Sequence, residues 1–191
     1  MAAALQFPHL MTLGEFLDWD SPGPYLWQLL DGVPVAMSPP APRHGAIENE
    51  LGRLIGNHLV ERGSPCRVVT NGGVIPNFQF DKNFMIPDLA VSCSASDLAG
   101  QYLREPVLLI EILSPSNYAE TWRNIWAYLT IPSVREILVV RTMSMGVELL
   151  RRGADEQWPA RPDVIESGDF TLSSIDLTLP MAALYRGTAT A

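Results

Sequence analysis

The run Val107-Leu108-Leu109-Ile110-Glu111-Ile112-Leu113 constrains this chain more than any other segment. Apolar residues at consecutive positions describe a strand covered on both faces, and therefore one in the middle of a sheet. Glu111 interrupts the run. An ionised carboxylate in that setting is costly to desolvate unless a cation, hydrogen bonds or a metal compensates it. Either the carboxylate meets solvent or an arginine at a strand end, or it belongs to a site.

Asp88 poses the same problem in Met85-Ile86-Pro87-Asp88-Leu89-Ala90-Val91. Proline cannot donate to a ladder, so Pro87 marks a strand start or a bulge with Asp88 just beyond it. The polar connection 94–105 lets the two strands pair as a wide hairpin, which brings both carboxylates toward one point. Such oxygen-rich ligation suits Mg²⁺ or Mn²⁺, with waters and a substrate phosphate filling the remaining positions.

The surrounding elements are legible from periodicity and caps. Thr12 with Glu15 forms a capping box that opens a short helix. YLWQLLDGVPVAM is a hairpin turning at Asp31-Gly32. Ile47, Leu51, Leu54, Ile55 and Leu59 recur at helical spacing from His44 to about Gly63. CRVVT, GVIPNFQF, MIPDLAVSC and PVLLIEIL read as strands, and Asn117 with Glu120 caps a helix whose Trp122 and Trp126 pack inward. EILVV, VELLRR and two weaker runs add strands, and LTLPMAALYR closes with a turn of helix. The order predicts one α/β domain over residues 1–191 with a mixed sheet flanked by helices and an N-terminal hairpin.

Charge narrows the function classes. The formal net charge is −8 and the pI about 4.8, so the chain lacks the overall basic surface of a sequence-independent nucleic-acid binder. Of 13 basic residues, Lys82 is the single lysine. Cys66 and Cys93 sit in apolar surroundings and are expected to be buried thiols of a reducing cytoplasm. No apolar run approaches a membrane span, and the N-terminus lacks the basic flank of a signal peptide. A soluble, cytoplasmic protein is expected.

The stretches YLWQLLDGVPVAMSPPAPRHGAIENEL, IPDLAVSCS, PVLLIEILSPSN and AYLTIPSVREILVV, in this order, resemble the Uma-type restriction endonuclease family. That family is a bacterial branch of the PD-(D/E)XK nuclease superfamily, and the likeness spans residues 25–140. It implies a restriction-endonuclease-like core over about 25–150. It also implies that Asp88, Glu111 and the backbone carbonyl of Ile112 hold a Mg²⁺ or Mn²⁺, and that the reaction is hydrolysis of DNA phosphodiester bonds.

This chain departs from the family pattern in three places. The position two after the glutamate, usually lysine, is Leu113. The substitute lysine that many members carry four residues before a tyrosine is Asn124, counted back from Tyr128, with Glu120 on the same helix face. Gln28 stands where the hairpin commonly carries a glutamate; Glu48 or Glu50 on the long helix is a candidate replacement. Arg43 and His44, at a helix entrance that favours anions, are candidate phosphate contacts, and so is Lys82. Arg123 points away from Asn124 around the helix, and Arg151-Arg152 reads as a solvated strand end.

The leading reading is a metal-dependent DNA endonuclease in which Asp88, Glu111, Asn124 and Glu120 do the chemistry. A second reading keeps the scaffold as a weak or inactive binding module, as a homodimer. A third is metal-dependent hydrolysis of a small phosphoester.

Overall fold

The computed structural model describes residues 9–114 and 118–188. The capping box is present as expected. Glu15 N–H donates to Thr12 Oγ1 and Thr12 N–H to Glu15 Oε2, opening α1 (Leu13–Leu17). The hairpin joins β1 (Trp27–Leu30) to β2 (Val33–Ala36) through Asp31 and Gly32, both at positive φ (51° and 84°), the geometry whose twist matches the strands. Pro42 then stands in the first turn of α2 (Pro42–Glu61), where its missing N–H costs nothing.

Six strands form the main sheet, in the order β3 (Arg67–Thr70), β4 (Leu89–Ser92), β5 (Pro106–Leu113), β6 (Glu136–Arg141), β7 (Val147–Arg151) and β8 (Asp163–Ile165). Only β5 and β6 are parallel, joined through α3 (Tyr118–Tyr128); the other pairs are antiparallel. β5 is central, as apolar residues on both its faces demand, and β4 pairs beside it across the 94–105 connection. The sheet is therefore mixed, flanked by helices and preceded by the hairpin.

Side-chain alternation divides the core in two. Leu108, Ile110 and Ile112 face Ile47, Leu51 and Ile55 of α2. β9 (Asp169–Leu172), β10 (Leu177–Pro180) and α4 (Met181–Leu184) pack against that side, and the β9–β10 ribbon is separate from the main sheet. Leu109 and Leu113 face Ile125 and Tyr128 of α3. Glu111 shares their parity and so points to the α3 side.

Four expectations need correcting or placing. The 73–80 run is not a strand: Val74 makes isolated bridges to Met85 and Leu103, and Asn77 and Phe78 give their N–H groups to Thr130 Oγ1 instead of a ladder. Pro76 removes one further donor. Cys66 and Cys93 are not free thiols. They lie one step beyond the Arg67–Ser92 pair of β3 and β4, directly opposite each other, and form a disulfide. Trp126 does not pack inward but is 56% exposed. The cap expected at Asn117 lies outside the described residues. Among the described residues, no helix is long and apolar enough to cross a membrane.

Candidate active site

The end of β4 pairing places the first carboxylate. Leu89 opposite Ile110 is the last pair of the ladder, and Asp88 comes just before it. Its Oδ2 accepts the Ile112 N–H at 2.6 Å, and its Oδ1 lies 3.0 Å from His44 Nε2. Because the N–H and C=O of a strand residue point to the same edge, the Ile112 carbonyl also faces the Asp88 side, past the last paired residue of β4.

α2 supplies the second group of ligands. His44 is in its first turn, and Glu48 one turn later has Oε2 4.0 Å from the same imidazole nitrogen. One ligand atom each from His44, Glu48 and Asp88 lie within 4.8 Å of one another. Glu50, the other candidate, faces outward and pairs with Arg53 (2.7 Å) and Arg186 (2.6 Å).

Glu111 is 6% exposed, and its partners are neutral. The Tyr128 hydroxyl donates to Oε1 at 2.7 Å, and the Asn124 side chain makes a second hydrogen bond to the carboxylate. Asn124 Oδ1 remains buried with no partner among the described residues. Burial, then the charges of Asp88 and Glu120, lift the Glu111 carboxyl well above the ordinary range, against the pull of the Tyr128 and Asn124 hydrogen bonds. Burial and the Glu111 charge lift the Tyr128 hydroxyl likewise. Burial and Asp88 raise Glu48. Burial pushes His44 down, but the hydrogen bond and charge of Asp88, with Glu48, outweigh it and the imidazole is raised.

A cleft of about 750 Å³ opens above these groups, lined among others by Gln28, Arg43, His44, Glu111, Glu120 and Asn124. Arg43, His44, Glu111, Glu120 and Asn124, far apart in the chain, thus line one cleft. Lys82 does not join them: it sits at the tip of the hairpin, where its carbonyl accepts the Gly32 N–H. Gln28 accepts the Ile86 N–H through Oε1 (3.0 Å), so it fastens the segment leading into Asp88. Arg43 donates to the Thr142 carbonyl at 3.3 Å, leaving it at the rim. The sequence reading used Tyr128 only as a landmark and missed its bond to Glu111. It also missed the pairing of His44 with Asp88, although the His44-x-x-x-Glu48 spacing on one helix face was a usable signal.

Glu136 provides an internal contrast. Equally buried, at the start of β6, it accepts hydrogen bonds from Arg151 Nε (2.7 Å), Ser173 N–H (3.0 Å) and Ser174 N–H (2.6 Å). That is how this protein neutralises a structural carboxylate. Arg152 is spent similarly, on the carbonyls of Leu129, Ile131 and Pro132 and the face of Trp158. Among the described residues, no such arginine reaches Glu48, Asp88 or Glu111. The donor set of carboxylates, one imidazole and a strand carbonyl, with a spare amide oxygen on Asn124, therefore fits a divalent cation.

A mixed sheet flanked by helices, with Glu111 of its central strand lining a cleft and Asp88 at the start of the neighbouring strand, defines a restriction-endonuclease-like α/β protein. The chain is similar to the crystal structure of a "putative nuclease belonging to DUF820" from Anabaena variabilis, at 19% identity and a TM-score of 0.73, covering 92% of this chain and 97% of the other. It is also 28% identical over 185 residues to "Uncharacterized protein slr1290" of Synechocystis sp., which covers 96% of this chain and 95% of the relative. The chain belongs to the Uma2 family, described as "Putative restriction endonuclease", whose profile matches residues 13–182.

Proposed function

We propose that the protein is a metal-dependent endonuclease that hydrolyses phosphodiester bonds of DNA. The observation that carries this reading is the carboxylate group of Glu48, Asp88 and Glu111, which among the described residues is faced by the His44 imidazole and by no arginine or lysine, set beside the arginine-paired Glu136 of the same sheet. Asp88, Glu111 and the Ile112 carbonyl would hold the ion, with His44 and Glu48 on its α2 side. When bound, Mg²⁺ or Mn²⁺ supplies Lewis acidity at the scissile phosphate.

The chain's own residues do the rest. Tyr128 fixes the Glu111 carboxylate through its hydroxyl proton and holds it against rotation. Asn124 Oδ1 accepts a hydrogen bond from the attacking water and orients it, but brings no charge. Arg43 at the rim meets a phosphate oxygen. Ile112 N–H holds Asp88 Oδ2, leaving Oδ1 toward His44. Glu120, exposed at the opening, adds negative charge that favours the ion over a second anion.

One observation favours a second reading, a weak or inactive nuclease-fold binding module. Leu113 and Asn124 leave the site without the lysine that would stabilise charge on the attacking and leaving oxygens. The endonuclease reading requires the cation and the scaffold reading does not, so metal binding is tested first. Calorimetry with Mn²⁺ is expected to show saturable binding to the wild type and none to Asp88→Ala, with unchanged circular dichroism. Equal binding by the two proteins would overturn the site. Established binding would then make cleavage of DNA by the loaded protein the measurement that separates enzyme from scaffold.

A further inference from the structure

Beside the cleft lies a second cavity of about 260 Å³, whose lining includes Leu30, Phe78, Asn83, Arg123, Trp126 and Thr130. Its lips are aromatic and uncovered. Trp126 is 56% and Phe78 54% exposed, which is unusual for side chains that gain so much from burial. Both are held in place. Trp126 leans on Trp122, with ring centroids 6.4 Å apart, and Trp122 leans in turn on Tyr118. The Phe78 N–H donates to Thr130 Oγ1 at the end of α3, while Asn83 Nδ2 donates to the Phe78 and Gln79 carbonyls. The loop is thus tied to both the helix and the hairpin. Arg123 is exposed on the same wall.

Two elements run through both cavities. On β1, Gln28 lines the cleft and Leu30 lines the second cavity, on the same face of the strand and about 6.6 Å apart at the rise of a β-strand. On α3, Asn124 faces the cleft while Arg123 and Trp126 face the other side.

We infer that the second cavity is a nucleobase pocket: an unpaired base next to the scissile phosphate stacks on Trp126 opposite Phe78, and Arg123 meets the adjoining phosphate. The inference rests on the phosphodiester reading of the cleft and deepens it, assigning single-stranded or frayed DNA as the substrate class. Stacking needs little positive field, because every base has a π-face, and this suits a chain of net charge −8. A base inside an intact duplex is stacked already and cannot enter. The acidic groups of the cleft and the cation of the pocket divide the work: one side attracts metal, the other a base with its phosphate.

The test is fluorescence anisotropy of 5′-fluorescein-labelled (dT)8 with the full chain in EDTA, where no cleavage occurs. The wild type is expected to bind (dT)8 more tightly than a blunt duplex of the same length. Trp126→Ala should weaken (dT)8 binding about tenfold or more, Trp126→Phe should retain most of it, and Arg123→Ala should weaken it and reduce its salt dependence. No binding by the wild type, equal binding of duplex and single strand, or an unchanged Trp126→Ala each overturns the inference. So does a self-association, seen by sedimentation, that Trp126→Ala abolishes while (dT)8 binding stays intact, since the aromatic lips would then be a protein contact. Mn²⁺ calorimetry on Trp126→Ala keeps the two readings apart. Normal Mn²⁺ binding without Trp126-dependent (dT)8 binding sinks the pocket alone. Trp126-dependent (dT)8 binding alongside failure of the Asp88→Ala metal test sinks the metal reading alone.

Discussion

Glu111 and Glu136 show how much a residue's surroundings decide. Both are buried carboxylates on adjacent strands, yet Glu136 accepts an arginine and two backbone N–H groups while Glu111, among the described residues, accepts a phenol and an amide. The difference has a sign that pH reads out. Glu111 titrates above the ordinary carboxylate value of 4.5, so between 4.5 and its raised value the folded chain binds a proton that the unfolded chain has lost. Stability is then present below 4.5 and falls as pH rises through the folded value. Glu48 and His44, both raised, contribute with the same sign, His44 from 6.5 upward. Urea unfolding in EDTA is therefore expected to show the metal-free protein losing stability from pH 5 to pH 8. Glu111→Gln, which still accepts the Tyr128 hydroxyl, should flatten that loss. A variant with the same slope as the wild type would mean that Glu111 is ionised in the metal-free fold.

At the scale of elements, the cleft depends on short connections that aim strands rather than on the strands themselves. Asp31 and Gly32 turn the hairpin so that Gln28 reaches the Ile86 N–H and braces the entry to Asp88. Gly32 is at φ +84°, and a Cβ there would stand 3.0 Å from the Leu10 Cβ and 3.1 Å from the Met11 carbonyl oxygen. Gly32→Ala combines left-handed strain with a tight contact and is expected to destabilise the fold by about 1–3 kcal/mol, measured by the urea midpoint. A shift under about 0.5 kcal/mol, the range of neutral surface changes, would mean the hairpin relaxes without disturbing its neighbours. β5 and α3 work differently. Their apolar parity fixes which face Glu111 takes, and Tyr128, Asn124 and Glu120 then arrive at helical spacing on the facing helix.

For the whole molecule, the distribution of charge matters more than its sum. Arg135, Arg141, Arg151 and Arg152 are engaged with carboxylates or carbonyls away from the cavities, whereas Arg43, held by the Thr142 carbonyl, and Arg123 stand beside the two cavities. Two phosphate contacts on a single strand predict a slope of log K against log salt of about −1.4, checked by titrating (dT)8 between low and moderate salt. A slope several times steeper would mean that a basic surface elsewhere carries the binding.

The sequence by itself determined most of the elements, the central place of β5 and the pairing of β4 beside it, and it singled out Asp88 and Glu111 as the carboxylates that need an explanation. Each of these follows from local rules: apolar periodicity, a proline that cannot join a ladder, a capping box, a turn needing positive φ. It also marked Asn124 and Glu120 as one helix face. The family likeness supplied the expectation of a metal, and the residues lining the cleft gave it physical ground. What the sequence could not determine was any relation set by packing between distant segments. That Cys66 and Cys93 face each other depends on the register of β3 against β4. That Asn77 and Phe78 bond to Thr130 rather than to a strand depends on where α3 ends. That Trp126 stands in solvent depends on the loop beside it, and that Lys82 lies at the hairpin tip depends on the hairpin's own packing. Tertiary structure also decided that His44 and Glu48 meet Asp88, because a helix and a strand begin at the same edge of the cleft. Periodicity assigns a side chain to a face, whereas only the fold says what that face meets.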